Sequence, residues 1–264
     1  MLGMKVVLLL LVLGLAAFTN AAEPTLTDAQ KAELIKTLQD DSLGVQDRDP
    51  AARTLAQSKA GADALIALAE KDELAEEMKA SAAYALAVSD NPEIRKLGAV
   101  KLPMPKSKDG KAIPPITELL NMKGDAANGA KVFANTAGAN CVSCHIMGDK
   151  GRDIGPPLNT IGEKGKDILF ESIVLPSVAI QHGFHSYLVK TKSSGTKLGI
   201  LVDDNDEKTT LKDSNGEYVE IPAKDIVKKV EQKMSLMPQG LIGTMTLQEM
   251  VDLIEYLAQQ KVQQ

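Results

Sequence analysis

Cys141-Val142-Ser143-Cys144-His145 is the stretch from which the rest of the chain is read. Cysteines three residues apart on a helical turn share a face, and a histidine follows the second one directly. This C-x-x-C-H spacing is that of a c-type haem attachment site. Each thiol can form a thioether with a haem vinyl group, and the imidazole can reach the iron. The chain has only two cysteines, so the motif consumes both. A structural zinc site asks for four Cys or His ligands in paired clusters. The other two histidines, His182 and His185, stand about 40 positions further on and match that spacing poorly. A thioredoxin-like dithiol fits C-x-x-C in a βαβ setting, which the flanking sequence does not resemble.

The 264 residues suffice for one large or two modest domains. Residues 1–22 read as a secretory signal peptide. Lys5 supplies the positive start, residues 6–18 are an apolar run, and Thr19-Asn20-Ala21-Ala22 offers small residues for cleavage. The run is short for a membrane span. The expected location is therefore periplasmic or otherwise exported, with membrane association only if the segment stays uncleaved. Two cysteines so close together do not make the disulfide scaffold of a small secreted domain. Losing Lys5 with the leader would take the formal net charge from −5 to −6. No basic patch dense enough for nucleic acid is present, and there is no Trp for a stacking platform. A mildly acidic surface favours a basic docking partner.

Residues 23–104 are rich in Ala and Leu with helical periodicity. Thr27 and Gln30 make a capping box, and helices are expected near 50–58, 63–69 and 74–88. Asn91-Pro92 starts another helix, with Asn as cap and Pro in the first position. Such pairs resemble HEAT-type helical repeats, although only about two units are visible. Residues 105–123 read as a linker, because prolines and charges dominate 102–115. Residues 124–264 form the second domain. It should hold a helix over 124–135, a Gly/Pro loop over 151–165 and a short helix over 166–174. A β-meander of three or four strands is expected at about 187–230, then a helix from Thr246 whose capping box Glu249 closes. The expected fold class is mainly α, with a small β insertion.

A His-ligated iron has one further axial position, and Met there raises the potential and suits electron transfer. Met237 stands in Ser235-Leu236-Met237-Pro238-Gln239-Gly240, whose Pro and Gly predict a rigid extended loop. Met234 is the alternative distal ligand. His182 and His185 flank Gly183-Phe184 and read as polar turn residues.

Residues 124–257 resemble a class I c-type cytochrome domain. They are most similar to the haem-binding domain at the C-termini of large exported planctomycete-type proteins described as membrane-bound dehydrogenases. The matching words are Gly129-x-x-x-Phe133, Cys141 to His145, Gly155-Pro156-Pro157-Leu158, Ile161-Gly162, Ile173-x-x-Pro176-Ser177, Ser235-Leu236-Met237-Pro238 and Leu253-Ile254-x-Tyr256-Leu257. The resemblance implies one covalently attached haem c on Cys141 and Cys144, with His145 and Met237 as axial ligands. It also implies that the Pro156 carbonyl orients the imidazole, and that Gly129 and Phe133 cross the terminal helix near Tyr256. One departure is the 92 positions from His145 to Met237, long for a compact domain. The β segment accounts for the excess.

The expectation is an electron-transfer protein rather than an enzyme. It would relay electrons between an extracytoplasmic dehydrogenase or quinol-oxidising complex and a terminal acceptor. The competing expectations are a haem-based sensor or enzyme with a labile distal ligand, and a haem-free helical-repeat interaction module.

Overall fold

Thr27 caps the first helix through both halves of its box. Its hydroxyl accepts from the Gln30 amide at 3.2 Å, and the Gln30 side chain accepts from the Thr27 amide at 2.9 Å. The computed structural model describes residues 26–135 and 137–262. The segment read as a signal peptide, 1–22, lies outside them. Five helices come first: α1 (Asp28–Gln39), α2 (Val45–Leu55), α3 (Lys59–Glu70), α4 (Glu76–Ala87) and α5 (Pro92–Lys101). Helix α2 begins at Val45 rather than near Pro50, because Gly44 donates its amide to Asp47 at 3.1 Å and starts the turn earlier. Leu38, Leu55, Leu65, Met78, Leu86 and Ile94 fill a shared core. Arg48 is buried among these helices, and its guanidinium reaches the Leu38 carbonyl, Asp41 and Glu77. A buried cation needs such partners to offset its lost hydration.

The segment read as a linker is not free of the fold. Ile116–Asn121 forms a short helix, α6, that buries Ile116 and Leu119. Met104, just before the segment, is buried as well, and within it the Lys108 amide donates to the Met245 carbonyl at 2.7 Å. The prolines stop long helices here, as their missing amides require. They do not stop apolar residues between them from packing on the C-terminal core.

That core is built by α7 (Ala126–Ala134), α8 (Lys166–Val174) and α9 (Leu247–Ala258). Thr246 and Glu249 close the capping box of α9 as expected. Helix α7 crosses α9 at Gly129, and Phe133 meets Tyr256 with ring centroids 5.9 Å apart. Beside the crossing, the buried carboxylate of Asp252 accepts from the Asp125 amide at 2.8 Å, from Asn128 at 2.7 Å and from Gln248 at 2.8 Å. Burial alone would raise this carboxyl, but the three donors outweigh it and hold its pKa below the ordinary value. A depressed carboxyl adds stability that is complete above its unfolded pKa and fades as pH falls through the folded one. Asp252→Ala should therefore cost about 2–3 kcal/mol at neutral pH. Urea titrations across pH should show that deficit shrinking below the ordinary 3.8. A deficit independent of pH would mean that the carboxylate charge is not what holds the crossing.

The β segment departs from expectation in strand number and in topology. It has five strands: β1 (Ser186–Thr191), β2 (Thr196–Asp204), β3 (Lys208–Lys212), β4 (Tyr218–Pro222) and β5 (Ile226–Glu231). The antiparallel order β4-β3-β2-β1-β5 is a four-strand meander whose fifth strand returns to the far side of β1. One face buries Val189, Leu211 and Ile221 in a small core of its own. With nine α-helices and this sheet among the described residues, the fold is mixed, and "mainly α" understates it. Because β1 pairs with β5, the ends of the insertion meet: Tyr187 lies opposite Glu231, and the Gln232 amide donates to the Ser186 carbonyl at 2.8 Å. The long spacing from His145 to Met237 is thus a loop closed at its neck.

The two helical parts share a packed junction. Arg53 on α2 pairs with Glu171 on α8 at 2.7 Å and lies over the Tyr84 ring at 5.3 Å. Tyr84 in turn stacks on Phe170, with centroids 6.3 Å apart. Among the described residues no helix is long and apolar enough to cross a membrane.

Candidate functional site

Asn140 turns the chain into the motif with φ of 53°, a left-handed conformation that Asn tolerates better than most residues. Its side chain accepts from the Ser143 hydroxyl. Cys141–Ser143 then forms one 3₁₀ turn, and the His145 amide closes a helical bond to the Cys141 carbonyl at 3.0 Å. Both cysteines are free and half-buried. Burial pushes the Cys141 thiol up to about 11 and also raises Cys144. A reactive dithiol needs a lowered thiol pKa, so this pair does not look like a thioredoxin-type centre.

His145 is fixed from two directions. Its Nδ1 lies 2.7 Å from the Pro156 carbonyl oxygen, which can only accept, so Nδ1 carries the proton and Nε2 keeps its lone pair. Among the described residues no hydrogen bond reaches Nε2. Gly155 forms the floor under the ring, where an added Cβ would stand 2.5 Å from His145 Cε1 and 2.9 Å from Nδ1. The amides of Ile154 and Gly155 both donate to the Cys144 carbonyl, at 3.0 and 2.6 Å. Burial holds the imidazole below its ordinary pKa, against the opposing pull of the Pro156 carbonyl. A neutral, oriented imidazole with a free Nε2 is what a metal ligand requires.

Met237 and Met234 differ in setting. Met237 is half-buried against the same core as Cys141, Val142 and Leu158, whereas Met234 is exposed. The Met237 amide donates to the Ser235 hydroxyl at 3.1 Å, and the Ser235 amide donates to the buried Ser177 hydroxyl at 3.1 Å. Ser177 follows Pro176 at the root of the sheet, so the Met237 loop is pinned where the insertion leaves the helical core. His182 is exposed, and His185 stands 3.4 Å from Glu231 at the start of β1. Among the described residues no three His, Cys, Asp or Glu side chains gather as metal ligands. No family model and no curated protein matches this chain.

Those donors fit a covalently held haem. Two thiols share one turn, an imidazole follows with Nε2 free, a glycine cradle lies beneath it, and a thioether sits on a pinned loop. Several contributing residues were not singled out from sequence. Ser177 and Ser235 carried only their places in matching words, and two serines 58 positions apart give no local sign of pairing. The contact of the β3–β4 turn with residues 152–154 left no trace either. Lys212 Nζ donates to both the backbone and the side-chain oxygen of Asp153 at 2.7 Å.

Proposed function

We propose that this chain is an exported single-haem c-type cytochrome that transfers electrons through a His/Met-ligated haem c. Cys141 and Cys144 would carry the porphyrin by thioether bonds, and His145 Nε2 and Met237 Sδ would be the axial ligands. Bound haem would supply a one-electron iron couple. The chain's own residues keep the imidazole neutral, orient it through Pro156, and hold the Met237 loop through Ser235 and Ser177. In this reading residues 124–264 are a cytochrome c fold with an inserted sheet, and the preceding helices are a HEAT-like region packed on it.

The observation that carries the reading is the 2.7 Å bond from His145 Nδ1–H to the Pro156 carbonyl, which leaves Nε2 facing no other partner. The electron donor would be an extracytoplasmic dehydrogenase or quinol-oxidising complex, and the product a reduced terminal acceptor. Membrane association would require an uncleaved leader.

The test is to express the chain in a host that performs haem ligation and weigh it intact. A mass greater by one haem, retained through acid–acetone extraction, supports the proposal; Cys141→Ala with Cys144→Ala should bring it back to the bare polypeptide. In the ferric form, Met237→Ala should abolish the weak long-wavelength Met-to-iron band, while Met234→Ala should leave it intact. Loss of the band only in Met234→Ala would move the ligand to Met234. Ready carbon monoxide binding by the native ferrous form would instead favour a sensor or enzyme with a labile distal ligand.

A further inference from the structure

The sheet touches both segments that carry the proposed axial ligands. Its neck, where Gln232 bonds Ser186, leads directly into the Ser177–Ser235 contact and the Met237 loop. Its β3–β4 end reaches the other segment. Lys212, at the end of β3, places Nζ 2.7 Å from Asp153 O and 2.7 Å from Asp153 Oδ2, and lies 5.1 Å over the Tyr218 ring. The Lys212 side chain is only 12% exposed although the Asp153 side chain is 59% exposed, so the lysine is seated rather than waving in solvent. Two further contacts flank it. Arg152 donates to the Asn215 carbonyl at 3.3 Å, and Gly216 sits over the buried Ile154.

Residues 152–154 are not a neutral stretch of surface. Ile154 and Gly155 hang from the Cys144 carbonyl, and Pro156 accepts the His145 proton. Any shift of 152–154 is therefore passed within three residues to the group that fixes the imidazole. A half-buried lysine with two oxygen acceptors on one residue is a firm tie, because charge-assisted hydrogen bonds are roughly twice as strong as neutral ones.

The geometry points to the sheet as a brace, with Lys212 as a positioning residue that clamps the His145 loop and thereby tunes the axial histidine. The clamp half stands on the chain alone; the tuning half rests on the proposed haem site. The brace is mechanical, acting through the loop that carries Pro156.

The experiment compares Lys212→Met, Lys212→Arg and, as a charge control, the exposed Lys228→Met. In the full chain as purified, the Ile154 and Gly155 amides should exchange with deuterium about tenfold faster in Lys212→Met, since losing charged hydrogen bonds lowers the cost of local opening by about that factor. Lys212→Arg should restore most of the protection, and Lys228→Met should match the parent. In the haem-loaded chain, Lys212→Met should shift the reduction potential and the ferric spectrum while keeping the haem covalently attached. Unchanged exchange at both amides overturns the clamp, whether or not haem is present. Faster exchange with an unchanged potential and spectrum overturns the tuning. A chain that never takes haem overturns the tuning together with the proposed function, and the exchange result still decides the clamp. Should Lys212→Met unfold, Asp153→Asn removes only the carboxylate half of the tie and gives the same readouts at smaller amplitude.

Discussion

Gly129→Val is expected to destabilise the C-terminal core by about 3 kcal/mol or more, an effect at the severe end for a single substitution. At Gly129 an added Cβ would stand 2.0 Å from the Asp252 carbonyl oxygen, 2.6 Å from its carbon and 2.7 Å from Tyr256 Cβ. Two of these three atoms are helix backbone, so no rotamer change can relieve the clash. Helices α7 and α9 would have to separate. Separation would loosen Met250, Leu253, Ile254 and Leu257, the Phe133–Tyr256 ring contact, and the donors around Asp252. The gain in helix propensity from replacing glycine is under about 1 kcal/mol and cannot compensate. Urea unfolding of the haem-free chain, followed by circular dichroism, measures the effect. A midpoint close to the parent's would mean that α7 and α9 can part at Gly129 at little cost.

Features set by neighbours in sequence were the readable ones. Thr27, Asn91 and Thr246 announced their helices because a cap bonds to residues two or three positions on. Helix α8 fell on 166–174 as expected, bounded by Gly165 and by the turn before Pro176. The motif turn was readable for the same reason, since Cys141 and His145 lie within one turn. What failed to show were pairings across long separations. Strand β5, Ile226-Val227-Lys228-Lys229-Val230-Glu231, is largely exposed and lacks a clean alternation, and nothing local tells whether it extends the meander beyond β4 or returns to β1. Proline content suggested a linker over 105–123, yet Ile116 and Leu119 find a core supplied by distant residues such as Phe133 and Ile254. Lys212 and Asp153 each look like an ordinary surface charge until the fold sets them 2.7 Å apart. Pro238 and Gly240 already mark out Met237 over Met234 in the sequence, and packing adds that Met234 is exposed while Met237 is set against the core.

Gly155→Ala should separate ligand geometry from folding. Unlike Gly129, Gly155 faces a side chain: its added Cβ would meet the His145 ring at Cε1, Nδ1 and Nε2, at 2.5, 2.9 and 3.0 Å. A ring can swing where a helix backbone cannot. The fold should therefore survive, at a cost of about 1–2 kcal/mol for the displaced ring and its broken hydrogen bond. Swinging the ring takes Nδ1 from the Pro156 carbonyl, so the tautomer is no longer fixed and Nε2 is no longer held in one direction. In the haem-free chain, the ring nitrogen shifts in nitrogen-15 NMR should move from one fixed tautomer towards an exchanging mixture. In the haem-loaded chain, the two thioethers on Cys141 and Cys144 should persist while the iron spectrum and potential change. The ratio of effects is the discriminating quantity. A small loss of stability with a large change at the iron supports a glycine retained to make room for a ligand. A large loss of stability with parent-like iron would reduce Gly155 to a packing residue and remove one of the two supports beneath His145.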